Sequence, residues 1–203
     1  MQLERANKAV FERNGFYRLV GKRLLDLLIT IPALILLIPF FLVVAVIIKL
    51  DSSGSVIYKQ KRVGKNAKEF YIYKFRTMVA NADKLGPSST KDDDNRITKV
   101  GKILRSLSID ELPQLINVLL GQMSIVGYRP GVLGNYSDSD LNSKIFSVKP
   151  GITGYAQVNG RSALTLEEKR YWENKYVEDI SFLTDIKILL KTIAIVLNKR
   201  GVN

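Results

Sequence analysis

The run from Leu27 to Ile48 constrains this chain more than any other stretch. It is apolar throughout except for Thr30, Pro32 and Pro39. A helix of about 20 apolar residues is long enough to cross the hydrocarbon core of a bilayer, so this run reads as a membrane segment. Lys22 and Arg23 precede it, and Lys49, Lys59, Lys61 and Arg62 follow it. With cations at both ends, the positive-inside bias selects neither orientation. Pro39 lies near the centre. It lacks an N–H and its ring clashes with the preceding turn, which predicts a sharp kink. Balanced charge and a central proline suit a re-entrant hairpin with both ends cytoplasmic. An ordinary kinked span satisfies the same features, because proline is tolerated in membrane helices.

Residues 1–23 are polar and basic, with Phe11, Phe16, Tyr17, Leu19 and Val20 interleaved among Arg5, Lys8, Arg13, Arg18, Lys22 and Arg23. This pattern predicts an interfacial amphipathic segment. The same charged stretch argues against a cleavable signal peptide. The 203 residues suit one domain or a small domain with an appendage, divided here into a membrane-associated part, 1–50, and a second domain, 51–203. The formal net charge of +12 favours anionic partners: nucleic acid, phosphorylated substrates or an anionic membrane surface. With no Cys and no His, disulfides, thiolate metal sites and imidazole chemistry are excluded. Any metal must be a hard cation on oxygen ligands, most simply Mg²⁺.

Beyond the membrane run, 56–60 and 69–75 read as two strands of a hairpin joined by the basic turn 62–66. Residues 86–95 read as a mobile loop. Its Asp run lacks the Gly and the distal Glu of a calcium loop, so a solvated loop is the simpler reading. A basic helix is expected over 97–107 and a second from Asp110 through Leu120. A short apolar piece, 123–126, is followed by a loop-rich stretch, 130–143, and by tight Gly-punctuated turns around a short strand, 150–160. A charged helix is expected over 165–178, and a last amphipathic helix to Asn198 capped by Ser181 or Asp185. The expected fold class is α+β, mainly helical: an N-terminal membrane helix, re-entrant or spanning, and a small second domain with a short β-hairpin and interfacial amphipathic helices.

The chemistry concentrates at Asp110 and Glu111. Ser108 and Glu111 have capping-box spacing, and acids in a first helical turn oppose the macrodipole favourably. On these facts alone a capped helix is the simpler account. Two further facts favour catalysis. Adjacent side chains on a helix diverge by about 100°, so one carboxylate can meet a substrate while the other holds a metal. The chain also places Lys59, Arg62, Arg76, Arg105, Arg129 and Arg161 beside Gly, Pro and aromatic residues. Cations converging near a Mg²⁺-binding carboxylate make a site for a phosphoanhydride.

Long ordered motifs then carry a family resemblance. They are Lys22-Arg-Leu-Leu-Asp26, Tyr58-Lys-Gln-Lys-Arg-Val-Gly64, Tyr73-Lys-Phe-Arg-Thr-Met78, the run Arg96 to Arg105, Ser108 to Leu119, Gly121 to Pro130 and Pro150 to Arg161. From residue 22 to the C-terminus the chain resembles the bacterial sugar transferases, the monotopic polyprenyl-phosphate phosphoglycosyl transferases. The resemblance implies transfer of a phosphosugar from a UDP-sugar to polyprenyl phosphate, with release of UMP. It implies that Asp110 is the nucleophile, forming a covalent phosphosugar–aspartate, and that Glu111 binds Mg²⁺. Arg129 and Pro130 match the nucleotide-site motif, and Arg105 and Arg161 match basic positions around the phosphates. Gln157 and Asn159 lie in the matched Gly-rich stretch and join the expected substrate-binding residues.

The resemblance also implies a membrane helix that re-enters at a Ser-Pro break, with the active site at the cytoplasmic face of the bacterial inner membrane. Here Pro39 matches the proline and Ile38 replaces the serine. Gly-Tyr-Arg-Pro at 127–130 replaces the usual Gly-Pro-Arg-Pro, which predicts a looser turn behind Arg129. Glu173 stands where the family often has Asp. Membrane lipids are expected partners, and a homodimer is left open. A membrane-tethered nucleic-acid binder is disfavoured because the cations are scattered among Gly-rich turns and no reading module is present. A non-catalytic scaffold of a glycan-assembly pathway is the remaining alternative. The enzyme reading predicts a role in starting a capsule, O-antigen, exopolysaccharide or protein-linked glycan.

Overall fold

The apolar run lies within one long helix, α1 (Lys22–Asp51), entered through a π-helical turn at Tyr17–Gly21. This computed structural model describes residues 15–86, 94–160 and 163–198. Residues 1–14 of the amphipathic segment expected over 1–23, residues 87–93 of the loop expected over 86–95, and Arg161 lie outside the described residues. α1 runs through Pro32, Ile38 and Pro39 as helix, and at 1.5 Å per residue its 30 residues would span about 45 Å if straight.

One stripe of α1 faces the rest of the chain. Asp26, Thr30, Ala33, Leu37, Phe41, Val44 and Ile48 recur at three- and four-residue spacing, the period of one helical face. Ile29, Ala33, Leu34 and Leu37 pack on a core that contains Ile72, Leu115, Val118, Met123, Val126 and Ile188. Further along, Phe41, Val44 and Ile48 pack with Phe75 and Leu104. The opposite face is bare and apolar: Leu28, Leu36 and Leu50 are 73%, 78% and 83% exposed. In water such a face would be costly, at roughly 25 cal/mol per Å² of apolar surface. It fits a lipid environment.

Polar contacts fasten both ends of α1. Lys22 Nζ donates to Asp185 Oδ2 (2.7 Å) and to the Tyr176 hydroxyl (2.8 Å). Arg23 donates to the carbonyls of Val118 (2.6 Å) and Leu119 (2.9 Å). Buried Asp26 accepts from Ser124 Oγ (2.9 Å) and the Ile125 N–H (2.8 Å). At the far end Arg76 Nη2 donates to the carbonyl (2.6 Å) and hydroxyl (3.0 Å) of Ser52, satisfying a helix terminus that has lost its own donors.

The hairpin is present and longer than the sequence suggests. β1 (Ile57–Val63) pairs antiparallel with β2 (Glu69–Phe75), with Ile57 opposite Phe75 and Val63 opposite Glu69. Lys61 and Arg62 therefore belong to the strand, and the turn uses positive φ at Asn66 and Ala67. α2 (Lys99–Ser106) begins after Thr98, whose hydroxyl accepts from the Gly101 N–H (2.9 Å). A Cβ on Gly101 would lie 2.0 Å from the Thr77 carbonyl oxygen, so only glycine allows this approach.

The helix expected from Asp110 is split. Ser108 adopts φ 55°, Ile109–Glu111 form a single 3₁₀ turn, and α3 (Gln114–Leu119) starts behind Pro113. Ser108 makes no capping bond with its side chain, which corrects the capping-box expectation. A left-handed serine cannot present its hydroxyl as an N-cap, a position that takes extended backbone.

β3 (Ser124–Val126) and β4 (Gly151–Thr153) form a short parallel pair. α4 (Leu166–Asp179) carries a capping box between Thr165 and Glu168. α5 (Phe182–Leu197) is capped by Ser181, which accepts from the Thr184 N–H. Asp185, the other capping candidate, turns inward and is 1% exposed. It accepts from Lys22, from Tyr17 (2.6 Å) and from Tyr176 (2.8 Å), so it joins α1, α4 and α5.

Removing Asp185 strands a buried ammonium and two hydroxyls. Asp185→Ala should therefore destabilise the chain by about 3–5 kcal/mol, against about 1 kcal/mol for the cap substitution Ser181→Ala. Chemical denaturation in detergent measures both, and equal losses would show that the buried cluster is not an anchor.

Candidate active site

The site is built from three short pieces of chain. The 3₁₀ turn after α2 supplies Asp110 and Glu111, β2 supplies Lys74, and the turn after β3 supplies Arg129. Glu111 Oε1 accepts from Lys74 Nζ (2.7 Å) and Arg129 Nη2 (2.6 Å), and Oε2 accepts from Arg129 Nη1 at 3.2 Å. Arg129 thus grips the carboxylate with both arms of its fork. A shallow pocket beside this cluster is lined by Arg62, Ile72, Lys74, Glu111, Gln114, Arg129 and Pro130.

The two neighbouring carboxylates have opposite electrostatic states. Burial alone would raise the Glu111 pKa, but Arg129 and Lys74 outweigh it and hold the group well below the ordinary carboxylate range. Burial pushes Asp110 up to about 6, opposed by Lys74 and reinforced by the Glu111 charge. No hydrogen bond or ion pair from a described residue reaches the Asp110 carboxylate. At pH 7 it is about nine-tenths ionised, poorly solvated and unpaired. Those are the properties of a carboxylate available to react.

Arg129 owes its aim to the backbone behind it. The Gly127 N–H donates to the Thr153 carbonyl (2.8 Å) and the Gly151 N–H to the Tyr128 carbonyl (2.8 Å). A Cβ on Gly154 would lie 1.9 Å from the Gly127 oxygen, so the two segments meet through bare backbone. Tyr128 is buried, packs edge-on against Phe146 at 5.4 Å and donates to the Val63 carbonyl at 3.3 Å. In Gly-Tyr-Arg-Pro the Tyr128 ring thus anchors the turn behind Arg129 by packing. Behind it, Glu173 is buried and pairs with Arg170 at 3.0 Å. Burial raises its pKa despite Arg170.

The other expected site residues divide. Arg62 lines the pocket, held by Gln60 (2.6 Å) and the Pro130 carbonyl (3.3 Å). Arg105 bonds Thr77 Oγ1 at 2.8 Å, and its charge acts on Asp110. Arg76 is turned away to the end of α1. Lys59 lies over the Tyr73 ring, 5.7 Å from its centroid, on the opposite hairpin face from Lys74 by strand alternation. Gln157 is half-buried, with neither polar side-chain atom bonded, and Asn159 closes the helical turn Tyr155–Val158.

Lys74 was missed in the sequence. It sits between Tyr73 and Phe75 in a matched motif, and strand parity puts it on the face opposite theirs. Gln114, 3% exposed in the pocket wall, was missed as well.

A cation held by protein alone has no donor set here. Among the described residues no three His, Cys, Asp or Glu side chains group together. Mg²⁺ commonly takes one or two carboxylates and completes its shell with substrate phosphates and water. The Asp110–Glu111 pair fits that pattern, with Glu111 Oε2 the less engaged of its two oxygens.

The model of the bacterial sugar transferase family matches residues 17–199. The exopolysaccharide production protein ExoY of Sinorhizobium fredii is 38% identical over 198 residues, covering 90% of this chain and 88% of that protein. The uncharacterized sugar transferase EpsL of Bacillus subtilis is 41% identical over 186 residues, covering 91% of each. The UDP-glucose:undecaprenyl-phosphate glucose-1-phosphate transferase of Klebsiella pneumoniae is 42% identical over 193 residues, covering 89% of this chain and 40% of that longer protein.

The geometry makes the Asp110 titration depend on its neighbours in opposite directions. A ¹³C-carboxyl NMR titration should find the wild-type midpoint near pH 6. Lys74→Met should move it higher, because a lowering cation is lost, and Glu111→Gln should move it lower. An Asp110 midpoint near pH 4, indifferent to both changes, would contradict the electrostatic account.

Proposed function

Because the chain belongs to the bacterial sugar transferase family, we propose that it is a membrane-bound phosphoglycosyl transferase acting through an aspartyl intermediate. It moves a phosphosugar from a UDP-sugar to undecaprenyl phosphate or a related polyprenyl phosphate, and so starts assembly of a glycan such as an exopolysaccharide or capsule. Relatives with such names include the Klebsiella glucose-1-phosphate transferase and an N-acetylgalactosaminephosphotransferase of Aeromonas hydrophila. The observation that supports the mechanism is the split between an unpaired, buried Asp110 and a Glu111 paired through Oε1 with Lys74 and Arg129.

An Oδ of Asp110 attacks the β-phosphorus of the UDP-sugar. The new O–P bond forms as the bond from that phosphorus to the bridging oxygen breaks, and UMP leaves with the bridging oxygen. A carboxylate needs no proton acceptor for this step, which suits a chain without His. Arg129, Lys74 and Arg62 surround the pocket where the transferred phosphate would lie and offset its charge. In the second step an oxygen of the polyprenyl phosphate attacks the same phosphorus, freeing Asp110 and leaving a polyprenyl diphosphate sugar. Mg²⁺, held by Glu111 with Asp110 close by, supplies charge neutralisation on the diphosphate when bound.

The fastening of α1 supports this reading of the membrane arrangement. Its first turn is bonded to α3, α4, β3 and α5, and its last turn is bonded to the chain beside β2. A helix crossing the bilayer would carry one end to the far side, away from those partners. Both ends on one domain support a segment that stays on the cytoplasmic face of the inner membrane. The exposed Phe182, Leu183, Leu190, Ile193 and Val196 of α5 extend the lipid-facing surface. There a soluble nucleotide sugar can meet a lipid phosphate.

UMP release from a panel of UDP-sugars with undecaprenyl phosphate tests the reaction. One sugar should give turnover that EDTA stops and Mg²⁺ restores, and Asp110→Asn should lose more than about 1,000-fold. Retained turnover in that variant would overturn the nucleophile assignment. Because the reacting form of Asp110 is the carboxylate, the rate should fall on the acid side through about pH 6, to roughly one-tenth at pH 5. A flat rate down to pH 5 would contradict it.

A further inference from the structure

A second cationic cluster lies at the opposite end of α3 from Asp110. Arg23 reaches it from the first turn of α1 and donates to the Val118 and Leu119 carbonyls, where a cation meets the negative end of a helix. Lys149 reaches it from the segment before β4. Both groups flank Gly121: a Cβ there would lie 3.6 Å from Lys149 Nζ and 3.7 Å from Arg23 Nη2. Gly121 has φ 77°, the left-handed residue that closes a helix. The turn therefore carries no side chain between the two cations.

The cluster lacks an anion. Burial and then the charges of Arg23, Lys65 and Lys22 lower the Lys149 pKa, and the one carboxylate opposing them is Asp26. Asp26 Oδ1 is already engaged by Ser124 and the Ile125 N–H, and Lys22 is engaged by Asp185. No described residue gives Lys149 a hydrogen bond or an ion pair. Apolar side chains adjoin the cluster in the open: Leu119 and Leu120 are 41% and 58% exposed at the end of α3, and Leu24 is 52% exposed beside Arg23. An unpaired Lys149 beside a helix-bound Arg23 and exposed leucines, at the start of the apolar helix, suits the depth of lipid phosphates.

The geometry points to a phosphate-binding site for an anionic phospholipid headgroup, formed by Lys149 and Arg23 across the bare turn at Gly121. The leucines of α1 and α3 border the acyl chains. The site is separate from the substrate pocket, and it rests on α1 lying in the membrane. It gives the enzyme a preferred lipid neighbour and fixes the depth at which the domain sits.

The test uses the full chain in an uncharged detergent, titrated with phosphatidylglycerol, phosphatidylcholine or inorganic phosphate, with the melting temperature as readout. Phosphatidylglycerol should raise it saturably while the other two do not. Lys149→Met should need about five- to tenfold more phosphatidylglycerol for half-saturation, and Lys149→Arg should restore the wild-type value. Equal response of Lys149→Met and wild type would overturn the site. So would an equal effect of phosphatidylcholine, or of inorganic phosphate, which would mark a free-phosphate site. Flotation with phosphatidylcholine vesicles separates the two premises. A chain that fails to float loses the membrane reading and this site together, whereas one that floats with an indifferent Lys149→Met loses only this site.

Discussion

Glu111 holds two cations at once, and the site depends on that grip. Lys74 comes from the hairpin, Arg129 from the turn behind the parallel strand pair, and Glu111 from the 3₁₀ turn between two helices. One carboxylate thus ties three pieces of chain that are distant in sequence. Lys74 and Glu111 are largely buried while Arg129 is half-exposed, so losing Lys74 costs more than losing the solvent-screened Arg129. The same grip takes up the cations that would otherwise settle on Asp110. Its neighbour is left buried, near a positive field but without a partner, and its pKa rises rather than falls.

The fastening of α1 performs a parallel task at larger scale. Lys22, Arg23 and Asp26 each bond a different element of the catalytic domain, and Arg76 holds the far end. Hydrophobic contact along the stripe from Ile29 to Ile48 adds area without direction, while the polar bonds fix the height and rotation of the helix. In the proposed membrane placement, this fastening sets the distance from the lipid surface to Asp110, which matters for a soluble donor and a lipid-held acceptor.

What the sequence disclosed followed from local periodicity and composition. The apolar run, the hairpin, the helix from Thr165 and the Ser181 cap could be read from spacing. What it hid was tertiary. Ser108-x-x-Glu111 has the spacing of a capping box, yet a left-handed Ser108 and the pull of Lys74 and Arg129 take Glu111 elsewhere. Arg76 follows β2 two residues after Lys74, and the packing of α1 takes the arginine to a helix end while the lysine reaches the site. The motif Lys22-Arg-Leu-Leu-Asp26 was legible as a resemblance, but its meaning as three bolts required the partners to be seen.

The central claim is that Asp110, and not its gripped neighbour, carries the transferred group. Rapid quenching of the full chain with a competent UDP-sugar in the absence of polyprenyl phosphate, followed by peptide mass spectrometry, addresses it directly. The account predicts a phosphosugar mass on the peptide containing Asp110, localised to that side chain and lost when polyprenyl phosphate is added. An adduct on Glu111 or another residue, or turnover to UMP and lipid-linked product with no adduct at any quench time, would contradict it.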